Sequence, residues 1–199
     1  MKTLLRFAIL LLLAAGIAGC ATKVDRVAVD KTIDLSGRWN DTDSRLVAET
    51  MIAEVFAHPW ANDFVAQNGK KPVVIVGTIR NMSSEHLETS VFAKDIEREL
   101  VNSGKVKFVA SSDERGELRQ ERLEQQQFST EETAKRLAAE TGADYMLKGS
   151  IKTQMDTEGR EQVKFYQTDL ELIHLESNEK VWIGTKKIKK VVKKPLFRI

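Results

Sequence analysis

Apolar residues at helical spacing predict two helices early in the chain. Residues 41–57 carry a stripe of them, and Asp41 or Asp43 can cap the helix at its first turn. A second, shorter helix is expected over residues 60–68, closed by Gly69. The stripe of the first helix consists of Leu46, Val47, Met51, Ile52, Val55 and Phe56.

Further helices are expected between residues 88 and 142. The first of them ends at Gly104 and has as its apolar stripe Val91, Phe92, Ile96, Leu100 and Val101. Residues 113–127 are rich in charges at helical spacing, which predicts a solvated helix or, in part, a loop. Ser129 and Glu132 have the spacing of a capping box and begin another helix, which ends at Gly142.

Five strands are predicted from runs of β-branched residues and from alternation. Residues 72–79 form a continuous apolar run, typical of a strand covered on both faces, and 106–110 form a short strand. Three longer strands follow over residues 145–155, 162–175 and 180–192, with turns at Glu158-Gly159 and Ser177-Asn178. The lone glycines Gly77 and Gly149 lie inside strands, where we expect them to let a helix approach closely.

The order of these elements predicts the fold class. Helices and strands alternate first, and a meander of strands closes the chain. That order predicts a single α/β (α+β) domain with one mixed β-sheet, parallel where helices cross over and antiparallel in the C-terminal three-strand meander.

The first twenty residues have the pattern of a bacterial export signal. Lys2 and Arg6 precede a short apolar run, and the segment 17–20 (Ile-Ala-Gly-Cys) resembles a lipobox, the motif at which lipoproteins are acylated and cut. The apolar run is too short to span a membrane, which takes about 20 residues. The prediction is a signal peptide over 1–19, lipidation at Cys20, a short tether over 20–35 and a periplasmic domain over 36–199. Ala21 favours anchoring in the cell outer membrane, on its periplasmic side.

Charge and cysteine content exclude several classes of function. The chain has 31 Lys+Arg and 29 Asp+Glu; loss of Lys2 and Arg6 with the signal peptide leaves a neutral mature protein. Neutrality disfavours nucleic-acid binding, which depends on uncompensated cations. Because Cys20 is the only cysteine, neither an intramolecular disulfide nor a cysteine-based metal site can form. The three histidines lie far apart in sequence, so no metal site and no cofactor are expected.

The sequence offers candidates for binding but none for catalysis. It has no phosphate-binding glycine loop and no nucleophile elbow, and its paired carboxylates lie on charged helix surfaces. Arg80 and Asn81 follow an apolar strand, where sheets commonly present binding loops, and Trp60 is either an aromatic anchor for a partner or a core residue. Seven cations lie between Lys186 and Arg198 without an acid; they either guard an edge strand or contact an anionic surface.

Several segments together resemble one family. These are residues 72–81 (Pro-Val-Val-Ile-Val-Gly-Thr-Ile-Arg-Asn), 92–104, 107–109, 142–150 (Gly-Ala-Asp-Tyr-Met-Leu-Lys-Gly-Ser), 170–172 and 178–182. In this order, and with the lipobox, they resemble the LpoB-type outer-membrane lipoproteins that activate bifunctional penicillin-binding proteins. Parts of the pattern are shared with other periplasmic modules, including the TolB amino-terminal domain, whose fold this one is expected to resemble.

The resemblance implies a non-enzymatic regulator. Such a lipoprotein binds a periplasmic docking domain of the peptidoglycan synthase and stimulates glycan synthesis. This chain departs from the best-known members, which carry a long proline-rich tether, because its tether of about fifteen residues reaches only ~50 Å. Two other functions stay open at this point: a component of a curli-type lipoprotein secretion complex, and an enzyme of envelope polysaccharide.

Overall fold

The computed structural model describes residues 24–28, 30–109 and 142–193. The chain divides into two compact units, Met1–Lys31 and Thr32–Ile199. In the described part of the first unit there is neither helix nor strand, and the Lys31 amide donates to the Ala28 carbonyl at 3.1 Å. Cys20 and the helices predicted between residues 113 and 141 lie outside the described residues.

Three helices are described in the second unit, and all three were predicted. They are α1 (Asp41–Ala57), α2 (Trp60–Asn68) and α3 (Thr89–Asn102). The expected cap of α1 is wrong by one residue: Asn40 is the N-cap, and Asp43 completes a capping box with it, each side chain accepting from the other's amide at 3.0 Å. Gly69 closes α2 in the left-handed conformation, as expected.

Five strands form one mixed sheet in the order β2-β1-β3-β4-β5. The strands are β1 (Val73–Met82), β2 (Lys107–Phe108), β3 (Tyr145–Glu158), β4 (Glu161–His174) and β5 (Lys180–Lys193). β1 pairs in parallel with both β2 and β3, while β3, β4 and β5 form the predicted antiparallel meander. Gly159 and Asn178 take positive φ in the two hairpin turns, which is why those positions carry turn residues.

All three described helices pack on the same face of the sheet and form a single core with it. Fully buried residues of α1 and α3, such as Met51 and Phe92, meet alternate residues of the strands, such as Leu147 and Leu170. The helix stripes were predicted too wide. Leu46 is 46% exposed, Val91 50% and Val101 52%, because each helix contacts the sheet through a narrower strip than its apolar residues occupy.

The strand glycines make room for neighbouring strands, not for a helix as expected. A Cβ on Gly149 would collide with the Asp169 carbonyl of β4, and one on Gly77 would lie 2.8 Å from the Met146 sulfur of β3. Gly149 therefore depends on the absence of a side chain, because it faces backbone, whereas at Gly77 the flexible Met146 side chain can move aside.

Two buried ionic clusters fasten the residues before α1 and after β1 to the strands. Lys164 donates to Glu85 at 2.8 Å, and the Tyr166 hydroxyl donates to Glu85 at 2.7 Å. Lys190 donates to Asp43 at 2.6 Å and to Asp34 at 3.0 Å. The chain thus enters the compact unit along β4 and β5, near the turn that joins β3 to β4.

Candidate functional site

The face of the sheet opposite α1, α2 and α3 carries a group of cations. Successive strand residues point to opposite faces of a sheet. In β4, Leu170 and Leu172 are buried on the helix side, so the residues that alternate with them project away from these helices. Strand register then aligns Arg80, Ser150, Asp169 and Thr185 in one row across β1, β3, β4 and β5. We define the basic face by these residues: Arg80, Lys148, Lys152, Asp169, Glu171, Lys180 and Ile183.

The basic face encloses a shallow hollow of about 710 Å³. Ile183 lines it and is 60% exposed, a large apolar side chain among charged ones. Met146 and Thr78 also line it. An exposed aliphatic side chain with a charged rim is the arrangement found at the centres of protein–protein interfaces.

Asp169 organises the polar side chains of this face. It accepts from Lys152 Nζ at 2.9 Å, from Thr185 Oγ1 at 2.8 Å and from Gln167 Nε2 at 2.9 Å. Burial acts to raise the pKa of Asp169, but these hydrogen bonds and the Lys152 charge outweigh it and leave the pKa below its ordinary value. The carboxylate is therefore ionised at neutral pH and holds Lys152 in place.

The charges on the basic face do not cancel. Lys152 and Lys180 pair with Asp169 and Glu171, each at 2.9 Å. Arg80 and Lys148 have no ion pair within the part of the chain that the structure describes. The basic face has four cations and two carboxylates, an excess of two positive charges, although the protein as a whole is close to neutral.

The structure places the three predicted partner-binding residues in different surroundings. Arg80 is exposed on the basic face, inside β1 and not after it. Asn81 holds the following turn, accepting from the Ser83 amide at 2.9 Å and donating to the Glu85 carbonyl at 2.7 Å. Trp60 is 6% exposed and occupies the core, with its ring nitrogen donating to the Val55 carbonyl at 2.7 Å. Of the three, only Arg80 lies on the basic face.

Sequence reasoning missed the residues that accompany Arg80. Lys148 and Lys152 come from β3 and Lys180 and Ile183 from β5, and only the strand order and register bring them together with Arg80 of β1. Alternation within β4 indicates which of its residues point away from the core. A single sequence does not indicate which distant strands pair or in what register.

A second hollow, of about 810 Å³, lies where β3 begins and β4 ends, and Lys180 lines both this hollow and the basic face. Its aromatic residues Trp60, Phe64 and Tyr145 are each 6% exposed and pack on one another, so they offer no free ring face. Burial raises the pKa of Tyr145, and the nearby charges of Asp144, Asp63 and Glu179 raise it further. This end of the domain is therefore acidic.

The described residues offer neither a metal site nor a helix that could span a membrane. In residues 24–28, 30–109 and 142–193, no group of three or more His, Cys, Asp or Glu side chains is arranged to hold a metal ion. Across the same ranges, no helix has the length and apolarity required to cross a bilayer.

Known proteins resemble the chain over most of its length. The family model for the peptidoglycan-synthase activator LpoB matches residues 43–188. The LpoB C-terminal domain from Salmonella enterica is 18% identical with a TM-score of 0.45, covering 74% of this chain and 99% of that one. The corresponding Escherichia coli domain is 16% identical with a TM-score of 0.43 and the same coverage. Lipoprotein GNA1162 from Neisseria meningitidis is 12% identical with a TM-score of 0.37, covering 60% of this chain and 83% of that one. No curated protein matches the sequence.

Proposed function

This chain belongs to the LpoB family of peptidoglycan-synthase activators, and we propose that it is a lipid-anchored periplasmic regulator that binds and activates a bifunctional penicillin-binding protein. The regulator acts by contact and catalyses no reaction itself. The family model covers 43–188, nearly all of the compact unit, so the proposal concerns the whole domain and not an isolated motif.

The observation that carries the proposal is the basic face. Its excess positive charge suits an acidic docking domain on the synthase, and the exposed Ile183 on the edge strand β5 supplies an apolar contact beside these charges. Charges around such a contact mainly set the rate of encounter and the choice of partner, while the apolar centre supplies affinity. Arg80 and Lys148, free of ion pairs among the described residues, are available to pair with partner carboxylates.

Activation without chemistry requires that the regulator bind one state of the synthase more tightly than another. A tenfold stimulation corresponds to a difference in binding free energy of about 1.4 kcal/mol between the two states. One or two charge pairs formed only in the active state supply a difference of that size.

Anchoring is the second part of the proposal. Lipidation at Cys20 holds the protein on the periplasmic side of the outer membrane, since several acyl chains anchor stably where one is marginal. The domain then reaches its partner through the tether over residues 20–35.

The test is glycan polymerisation from lipid II by each bifunctional penicillin-binding protein of the same organism, with and without the full-length protein in neutral detergent. We expect saturable, severalfold acceleration of one synthase. The variant Arg80→Glu/Lys148→Glu should raise the half-saturating concentration of the regulator about tenfold or more, because it replaces attraction by repulsion.

A matched control separates the position of these charges from their number. Lys105→Glu/Lys107→Glu changes the net charge equally, but Lys107 lies in β2 opposite Val73, at the far end of β1 from Arg80, and Lys105 comes just before β2. It should leave the activation curve close to wild type. Acceleration of no synthase contradicts the activator role, whereas equal effects of the two variants contradict only the assignment of the basic face.

A further inference from the structure

Strand β5 forms an edge of the sheet. Within residues 142–193 and the other described ranges, its strand partner is β4, so the main-chain N–H and C=O groups of its outer side have no strand partner there. The strand is 14 residues long, against a usual strand length of about 5–6. A long edge of this kind is a template for pairing with another extended chain.

The edge carries uncompensated positive charge. Lys190 and Lys193 are paired, with Asp43 at 2.6 Å and with Glu161 at 3.3 Å. Lys186, Lys187 and Lys189 have neither a hydrogen bond nor an ion pair among the described residues. Lys187 and Lys189 are exposed, and Lys186 is half-buried on the other side of the strand.

This charge pattern discriminates between possible occupants of the edge. A second copy of β5 paired alongside would bring lysines opposite lysines, and like charges directly across strands destabilise pairing. An extended segment with acidic side chains would meet lysines on both faces of the strand. It would also cover apolar surface, because Ile183 is 60% exposed and Val191 56%.

We propose that the outer edge of β5 binds an acidic, extended segment of a partner protein, which adds to the sheet as a sixth strand. Main-chain hydrogen bonds along β5 supply affinity, and Lys186, Lys187 and Lys189 supply selectivity for acidic side chains. The lysines thus both prevent self-association of the edge and choose its partner. This inference does not rest on the proposed function, since it requires only the edge and its charges.

Binding of a labelled synthetic peptide tests the proposal. The probe is a short peptide of alternating glutamate and valine carrying a fluorophore, titrated with the full-length protein in neutral detergent and followed by fluorescence anisotropy. We expect saturable binding, weakened about tenfold by Lys187→Glu/Lys189→Glu and unchanged by Lys105→Glu/Lys107→Glu. Hydrogen exchange should show new protection of backbone amides in β5.

A backbone-modified peptide distinguishes strand addition from simple charge attraction. The same peptide with alternate amides N-methylated keeps its charge but loses the donors that pair with β5. We expect this peptide to bind at least tenfold more weakly. Equal binding of the two peptides, or binding without protection of β5, would overturn the proposal, as would stronger binding to anionic lipid vesicles than to either peptide.

Discussion

Glu85 and Lys164 form an ion pair whose side chains are only 9% and 7% exposed. A charge buried to this extent is tolerated because its partner compensates it, so removal of one partner costs more than the pair itself contributes. Glu85→Gln leaves Lys164 uncompensated and is expected to lower the free energy of unfolding by roughly 3 kcal/mol. Urea denaturation measures the loss. Glu88→Gln is the matched control: that carboxylate is exposed, with its hydrogen bonds to Ser90, and its loss should leave the free energy of unfolding close to wild type.

The same carboxylate makes stability depend on pH. Burial acts to raise the pKa of Glu85, but the hydrogen bonds from Lys164 and Tyr166 outweigh it, so the folded-state pKa lies below the ordinary value. A lowered pKa stabilises the folded protein above the ordinary value, and that contribution disappears as the pH falls through the folded-state pKa. Between neutral pH and acid, the wild type should therefore lose more stability than Glu85→Gln. Parallel pH profiles of the two proteins would contradict this assignment.

At the residue scale, the sequence shows which side chains are hydrophobic, but it predicts less well which side chains are buried in the core. Trp60 was open to two interpretations. Phe56 stacks on its ring and Tyr145 meets it edge-on, which places Trp60 in the core. Lys164 gives no sign of burial by its residue type; only its phase with Tyr166, Leu170 and Leu172 along β4 places it on the helix side. Residue type and periodicity conflict at such a position, and periodicity is the better guide.

At the scale of elements, Gly149 shows how closely β3 and β4 approach. Gly149→Ala forces its methyl group against the Asp169 carbonyl and the Leu170 side chain, and backbone cannot move aside cheaply. The expected cost is about 1–3 kcal/mol in the free energy of unfolding. Gly142→Ala is the matched control, since no atom of the described residues lies within 4 Å of a Cβ at that position. Equal thermal stability of the two variants would show that the sheet relaxes around the extra methyl group.

Elements with strong periodicity were predicted nearly to the residue. The ends of the meander strands differ from the prediction by at most three residues, because alternation and the turns at Gly159 and Asn178 define them locally. β1 extends to Met82, three residues beyond the apolar run, since Arg80 and Asn81 continue the pairing with Ser150 and Ile151. Polar residues at the end of a strand carry no local signal of pairing, which is why Arg80 was expected in a loop.

At the scale of the whole molecule, the segment before α1 and the basic face lie on opposite sides of the sheet. The segment that enters the compact unit is fixed by Lys190 to Asp34 and by the Tyr166 hydroxyl to the Gly37 carbonyl at 3.2 Å. These contacts lie on the helix side of β4 and β5, whereas the basic face lies on the opposite side. A partner on the basic face therefore does not compete with the contacts that hold the entering chain. Sequence order alone predicts the fold that separates them, but not which face each one occupies.

This separation predicts that anchoring and activation can be lost independently. Cys20→Ala removes the thiol that we propose as the acceptor of the lipid and leaves every described residue of the domain unchanged. In cells, labelled palmitate should enter the wild type but not the variant, and the variant should leave the outer-membrane fraction. Purified Cys20→Ala should still accelerate the synthase in solution. Arg80→Glu/Lys148→Glu should behave in the opposite way, with normal acylation and weakened activation.

Palmitate incorporation into Cys20→Ala would refute lipidation at that residue. Loss of solution activity in Cys20→Ala would instead mean that the lipid itself takes part in the contact with the synthase.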